Sequence, residues 1–213
     1  MMTKINKIIK QKSYYEVHVT DAVYEIDGEL LQFYDLHEGE NYAIALLEDL
    51  HKKSRFRRAY QRACYLLNDR DYSYQMLYQK LMISYQDDLL CKSVLEKLVK
   101  INLINDRRYA ERYAEYLVQK KGYGIYRAKQ EMLKKGLAKD LIQEFLAEQE
   151  AFAQENVYAV LVKKYGRILQ DEQDFKTRNK VIAGMARLGY DITSIKYAIE
   201  DYFANQEDEE SVL

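Results

Sequence analysis

Residues 104–137 read INDRRYAERYAEYLVQKKGYGIYRAKQEMLKKGL, a stretch that joins helix punctuation, an apolar face and concentrated positive charge. Asp106 is placed to cap a helix starting at Arg107, and Gly122 and Gly124 interrupt that helix. Gly136 ends a second helix, which runs from Ile125 to Lys135. Ala128 and Met132 stand four apart on one face of it, and Leu137 follows five residues later, across the glycine.

Working outward, that spacing recurs twice. Leu77, Leu81, Tyr85, Leu90 and Val94 precede it, and Val181, Met185, Tyr190, Ile195 and Ile199 follow, matching Ala128, Met132, Leu137, Ile142 and Leu146. Four-residue steps keep side chains on one helix face, while five-residue steps cross a turn into the next helix. Gly136 and Gly189 stand at the second and third turns. The first turn is read as one position shorter, with Ser84 leading directly into Tyr85 and no matching glycine. A further helical stretch precedes each pair, with Ala63 and Ala114 each 14 residues ahead of Leu77 and Ala128.

Each unit is then three helices in about 50 residues, too small to bury much alone and suited to stacking on its neighbours. The expected fold is mainly α: three tandem three-helix repeats in a curved, elongated array, at residues 55–104, 105–151 and 152–205. Residues 1–54 form an N-terminal extension and residues 206–213 an acidic tail. In the extension, YYEVHV and VYEI alternate as the two strands of a β hairpin, Asp27 caps a short helix, and a longer helical pattern runs through AIALLEDL.

The 213 residues contain no proline and eight glycines, so few helix breakers are present. No apolar run approaches the roughly 20 residues a membrane span needs, and the N-terminus lacks the apolar core of a signal peptide. A cytoplasmic protein with no membrane association is expected. Cys64 and Cys91 lie in helical apolar patterns and read as buried small hydrophobes. His18, His37 and His51 have neither metal-ligand spacing nor a nucleophile partner, and the Gly122–Gly124 pair lacks the features of a phosphate loop. The chain therefore reads as a non-enzyme, with no metal site and no cofactor.

Charge is segregated along the sequence. Residues 13–51 hold ten acids and no Lys or Arg, residues 52–70 seven bases and one acid, and residues 200–213 six acids and no base. Residues 100–135 hold ten bases against four acids, a local charge of 10 − 4 = +6 within a chain of net −1. Such a segment is either the solvated face of amphipathic helices or a surface for an anionic partner. Several of the 21 tyrosines alternate with these cations, as in nucleic-acid binders where rings stack on bases and cations meet phosphates. Tyr109 and Tyr113 share a face with Ala110 and Ala114 and read as packing residues. Tyr123 and Tyr126, beside the glycine break, are candidates for contact.

The run Ile104-Asn105-Asp106-Arg107-Arg108-Tyr109-Ala110, then Gly122-Tyr123-Gly124, Arg127-Ala128, Glu131-Met132 and Lys135-Gly136-Leu137, resembles the central signature of the RecX regulatory proteins. Members commonly carry Asp, Phe and Ile where this chain has Asn105, Tyr109 and Ala128, and a glycine at the first-repeat turn. The resemblance implies a non-enzymatic modulator of the RecA recombinase, acting as a monomer. It would bind the RecA filament on single-stranded DNA, contact DNA directly as well, and restrain strand exchange, ATP hydrolysis and co-protease activity in DNA repair and the SOS response. On this reading Arg107, Arg108, Arg112, Lys120, Lys121, Tyr123, Tyr126, Arg127, Lys129, Lys134 and Lys135 form the contact surface. The alternatives are a direct single-stranded nucleic-acid binder without a recombinase partner and a helical scaffold for another protein.

Overall fold

The computed structural model describes residues 1–211, with side chains through Gln206. It is mainly helical and divides into two units: Met1–Tyr72 with Leu77–Ile104, and Ser73–Met76 with the described residues from Asn105 onward.

The first unit opens with β1 (Met2–Lys4), β2 (Lys7–Lys10), β3 (Tyr15–His18), β4 (Val23–Ile26), α1 (Gly28–Phe33) and β5 (Asn41–Ala43). The expected hairpin is β3–β4, paired Tyr15 to Ile26 and His18 to Val23, and β2 adds a third antiparallel strand along β3. β1 pairs separately with β5. The sequence reading missed β1 and β2 because MTKINKIIK mixes lysines with only a short apolar alternation. Ile5, Val17, Ile26, Leu36, Leu47 and Leu50 close a small core against α2 (Ile44–Asp69). α2 runs unbroken through residues 54 and 55, so the extension and the first helix of the first repeat are continuous. The reason is local: between Ile44 and Asp69 there is neither glycine nor proline.

Asp27 precedes α1 without capping it through its side chain. Its carboxylate instead accepts from Arg58 at 2.8 Å, while its N–H donates to the buried Ser54 hydroxyl. Arg58 also pairs with Glu25 and lies 4.4 Å from the Tyr14 ring centroid, and Arg57 pairs with Glu29. The acidic run and the basic run after it therefore neutralise each other in part within one unit.

α3 (Tyr74–Tyr85) and α4 (Asp88–Lys100) follow. Leu77, Leu81 and Val94 are fully buried as expected, while Tyr85 and Leu90 are only half-buried; Cys91 and Leu95 are fully buried instead. This corrects the first-repeat register. A constant offset of 51 aligns Ala59, Ala63, Leu77, Leu81, Cys91 and Leu95 with Ala110, Ala114, Ala128, Met132, Ile142 and Leu146, all of them buried, with no gap. The turn has no missing residue. Lacking a glycine at Tyr85, α3 runs two residues past the position where α6 ends, and the left-handed turn falls on Gln86 at φ 49°, directly before the capping Asp87.

In the second unit, α5 (Asp106–Glu115) passes into a π turn (Tyr116–Lys120), followed by α6 (Ile125–Lys134) and α7 (Lys139–Glu148). α8 (Glu150–Glu155), α9 (Val157–Tyr165), α10 (Phe175–Arg187) and α11 (Ile192–Ser211) complete it. Ala128, Met132, Leu137, Ile142 and Leu146 are buried in one core, and Val181, Met185, Tyr190, Ile195 and Ile199 in the next. Gly136 and Gly189 take the corners with φ of 73° and 94°. The proposed division at residue 152 falls inside α8, whose Ala153 packs in the core of the second repeat. Residues 206–211 continue the α11 backbone; Val212 and Leu213 lie outside the described residues, as do the side chains of the acids beyond Gln206.

The second and third repeats meet at a close backbone approach. The Gly124 N–H donates to the Leu188 carbonyl at 2.8 Å, and a methyl group at Gly124 would overlap the Gly189 carbonyl. Tyr190, largely buried, donates its hydroxyl to the Gly122 carbonyl at 3.3 Å. Its phenol is pushed up to about 12 by burial.

Candidate interaction surface

The cap of α5 is Asn105, whose side-chain oxygen accepts from the Arg108 N–H at 2.9 Å, and the helix starts at Asp106. This corrects the assignment of Asp106 as the cap: its carboxylate accepts instead from the Tyr74 N–H at 2.7 Å. Burial raises the Asp106 carboxyl, and the Tyr74 bond opposes the shift. Both residues are good caps, so the choice between them rests on what α3 supplies from far away in sequence.

Arg107 turns toward α7, where it pairs with Glu144 and its guanidinium lies 5.1 Å from the Phe145 ring centroid. Arg108 is half-buried and Arg112 exposed. Tyr109, Tyr113 and Tyr116 form a ladder, with ring centroids 5.6 and 6.3 Å apart. Tyr109 and Tyr113 pack against the core of the repeat. The Tyr113 phenol is pushed up to about 12, chiefly by burial and then by its tyrosine neighbours and Glu131.

Glu131 on α6 accepts from Arg127 and from Lys134, each at 3.0 Å. The Lys134 bond leads in holding its carboxyl low. The Arg127 guanidinium lies 5.6 Å from the half-buried Tyr123 ring, and the Lys135 ammonium 5.7 Å from Tyr113. Arg127 and Lys134 thus share one carboxylate, with Lys135 adding to the field on it, that the count of positive charges did not single out. Lys129 is exposed on the same helix.

Lys120 and Lys121 come from the π turn, where the Lys121 N–H reaches the Tyr116 carbonyl at 3.0 Å. The widened turn buries Leu117 and Val118 together. Lys120, Lys121 and Gly122 line a groove of about 320 Å³ with Gln119, Asn156, Ala159, Val160, Lys163 and Lys164. The last two lysines were missed, since only the packing of α9 beside the π turn unites them with Lys120. Tyr126, 68 % exposed, lies elsewhere, lining a cavity with Glu150, Gln154, Asp191 and Ser194. Two carboxylates there make that cavity a poor seat for phosphate.

Tandem three-helix units with a tyrosine-lined basic surface define a repeat-built helical protein. Residues 105–146 match the model described as RecX, second three-helix domain. A protein named regulatory protein RecX from Clostridium acetobutylicum is 24 % identical over 208 residues, covering 95 % of this chain and 96 % of that one. One of the same name from Chlorobium phaeobacteroides is 28 % identical over 147 residues, covering 69 % and 95 %. A crystal structure of regulatory protein RecX superposes with a TM-score of 0.66 at 20 % identity, over 93 % of this chain and 99 % of that one, a likeness of fold. Along most of its length the chain is thus similar to proteins named regulatory protein RecX, and residues 105–146 carry the match to a RecX three-helix domain. No helix among the described residues is long and apolar enough to cross a membrane.

Proposed function

We propose that this protein engages the RecA filament on single-stranded DNA and inhibits its strand exchange, ATP hydrolysis and co-protease activity, acting in the cytoplasm as a monomer. The observation that carries the reading is the similarity, along nearly the whole chain, to proteins named regulatory protein RecX. A mixed surface of Arg127, Lys134 and Lys135 around Glu131, with tyrosine rings beside it, suits a protein partner of complementary charge. Arg107, Arg108, Arg112, Lys120, Lys121, Tyr123 and Lys129 extend the candidate contacts. Tyr126 belongs to a separate, acidic cavity and is the weakest of them.

The test is single-strand-dependent ATP hydrolysis by RecA with this protein added at substoichiometric ratios. Hydrolysis is expected to slow, with shorter filaments. Unchanged rate and filament length would sink the proposal.

A further inference from the structure

The cations of this chain differ in what already satisfies them. Arg107 is matched by Glu144, Arg127 and Lys134 by Glu131, Arg57 by Glu29, and Arg58 by Glu25 and Asp27. Lys120, Lys163 and Lys164 are not. Among the described residues none of the three has a carboxylate within ion-pair distance, and all three are exposed. They line one groove with Lys121, whose ammonium lies 5.5 Å from the Tyr116 ring centroid. No Asp or Glu lines the groove, so its four lysines share a lining whose other residues are uncharged.

Its walls are fixed by packing. The π turn buries Leu117 and Val118, Gly122 is held by the Tyr190 hydroxyl, and Gln119 donates to Gln149 at 3.0 Å. On the other side Val157, Val160 and Leu161 anchor α9 in the core, which leaves Lys163 and Lys164 outward. Holding like charges side by side costs free energy in the isolated protein, and an anion laid along the groove would relieve it.

We propose that this groove binds the phosphodiester backbone of nucleic acid, with Lys120, Lys121, Lys163 and Lys164 each facing a phosphate. No aromatic side chain lines it, so it reads backbone and not bases, and binding is independent of sequence. The inference deepens the proposed function by giving the DNA its own contact surface, but it is tested with no recombinase present.

The experiment is fluorescence anisotropy of a labelled oligothymidylate across a salt series, with a labelled random-sequence strand as a second probe. The parent is expected to bind both alike, with log affinity falling linearly in log salt. Lys120→Ala, Lys163→Ala and Lys164→Ala combined should flatten that slope by roughly 2, at ~0.7 per phosphate on single strands. A fourfold rise in salt would then cost the parent roughly tenfold to twentyfold more affinity than the variant. Lys176→Ala, Lys180→Ala and Lys196→Ala, three exposed lysines of α10 and α11, remove the same charge and should leave the slope nearly unchanged. Should the triple variant lose its cooperative melt, Lys163→Gln with Lys164→Gln carries the test, with the slope reduced by roughly 1.4. No binding by the parent at low salt, or an equal loss in the groove and control variants, overturns the inference. Inhibition of RecA could still stand in that case, which separates this failure from failure of the proposed function.

Discussion

At the scale of single residues, Asp106 shows how one side chain can change role without changing place. It sits at the first position of α5, where a carboxylate is ordinarily favourable, yet it is half-buried and accepts from the Tyr74 N–H. Its folded-state carboxyl is raised above the ordinary value near 3.8, so the folded protein holds that proton more tightly than the unfolded chain does. Stability from this group is therefore greatest in acid and falls as pH rises from near 3.8 through the raised value. Asp106→Asn keeps an acceptor for Tyr74 and removes the charge. Urea denaturation of this variant should match or exceed the parent at pH 7, and the gap should narrow as pH approaches 4. Asn105→Ala should instead cost about 0.5–2 kcal/mol at either pH, the usual loss of a cap. Met132, fully buried, sets the upper end: Met132→Ala should cost about 2–5 kcal/mol in the same assay, and a variant melting like the parent would refute its place in the core.

At the scale of elements, the three-helix unit was legible because it is written in spacing. The stripe through Ala128, Met132 and Leu137 needs only helical period and a glycine corner, and its counterpart through Val181, Met185 and Tyr190 follows the same rule. The first repeat was harder. Without a glycine to mark its corner, Tyr85 looked like the residue after the turn, whereas Cys91 carries the burial expected of Leu90, and Leu95 is buried beside Val94. The π turn left no signal, since nothing in YLVQK distinguishes a widened turn from a regular one; the choice is made by Leu117 and Val118 seeking the same core. The joint between β4 and α2 is an element-level matter too. Arg58 and Asp27 are each about nine-tenths buried as side chains, at 11 % exposure, so removing the arginine leaves a carboxylate desolvated and unpaired. Arg58→Ala should cost roughly 3 kcal/mol or more and speed hydrogen exchange across residues 15–26. Arg57→Ala breaks an exposed pair with Glu29 and should cost less than about 1 kcal/mol.

At the scale of the whole molecule, the net charge of −1 hides two different outcomes for segregated charge. The acidic run at residues 13–51 is partly matched within its own unit, where Glu25, Asp27 and Glu29 pair with the arginines of α2. The basic middle retains unmatched cations. Replacing the exposed Lys129 and Lys134 together with Ala, which leaves Arg127 on Glu131, should move the melting temperature little, because exposed charges contribute little to stability. The same variant should weaken binding to the RecA filament in co-sedimentation, and undiminished binding at moderate salt would remove this surface from the contact. By itself the sequence determined the helical class, the repeat and its corners, and the concentration of charge, because periodicity, glycine and composition act locally. Tertiary structure decided which cations remain available. Ion pairs such as Arg107 with Glu144, and the convergence of Lys120 with Lys163 and Lys164, depend on helices that meet only after the chain has folded.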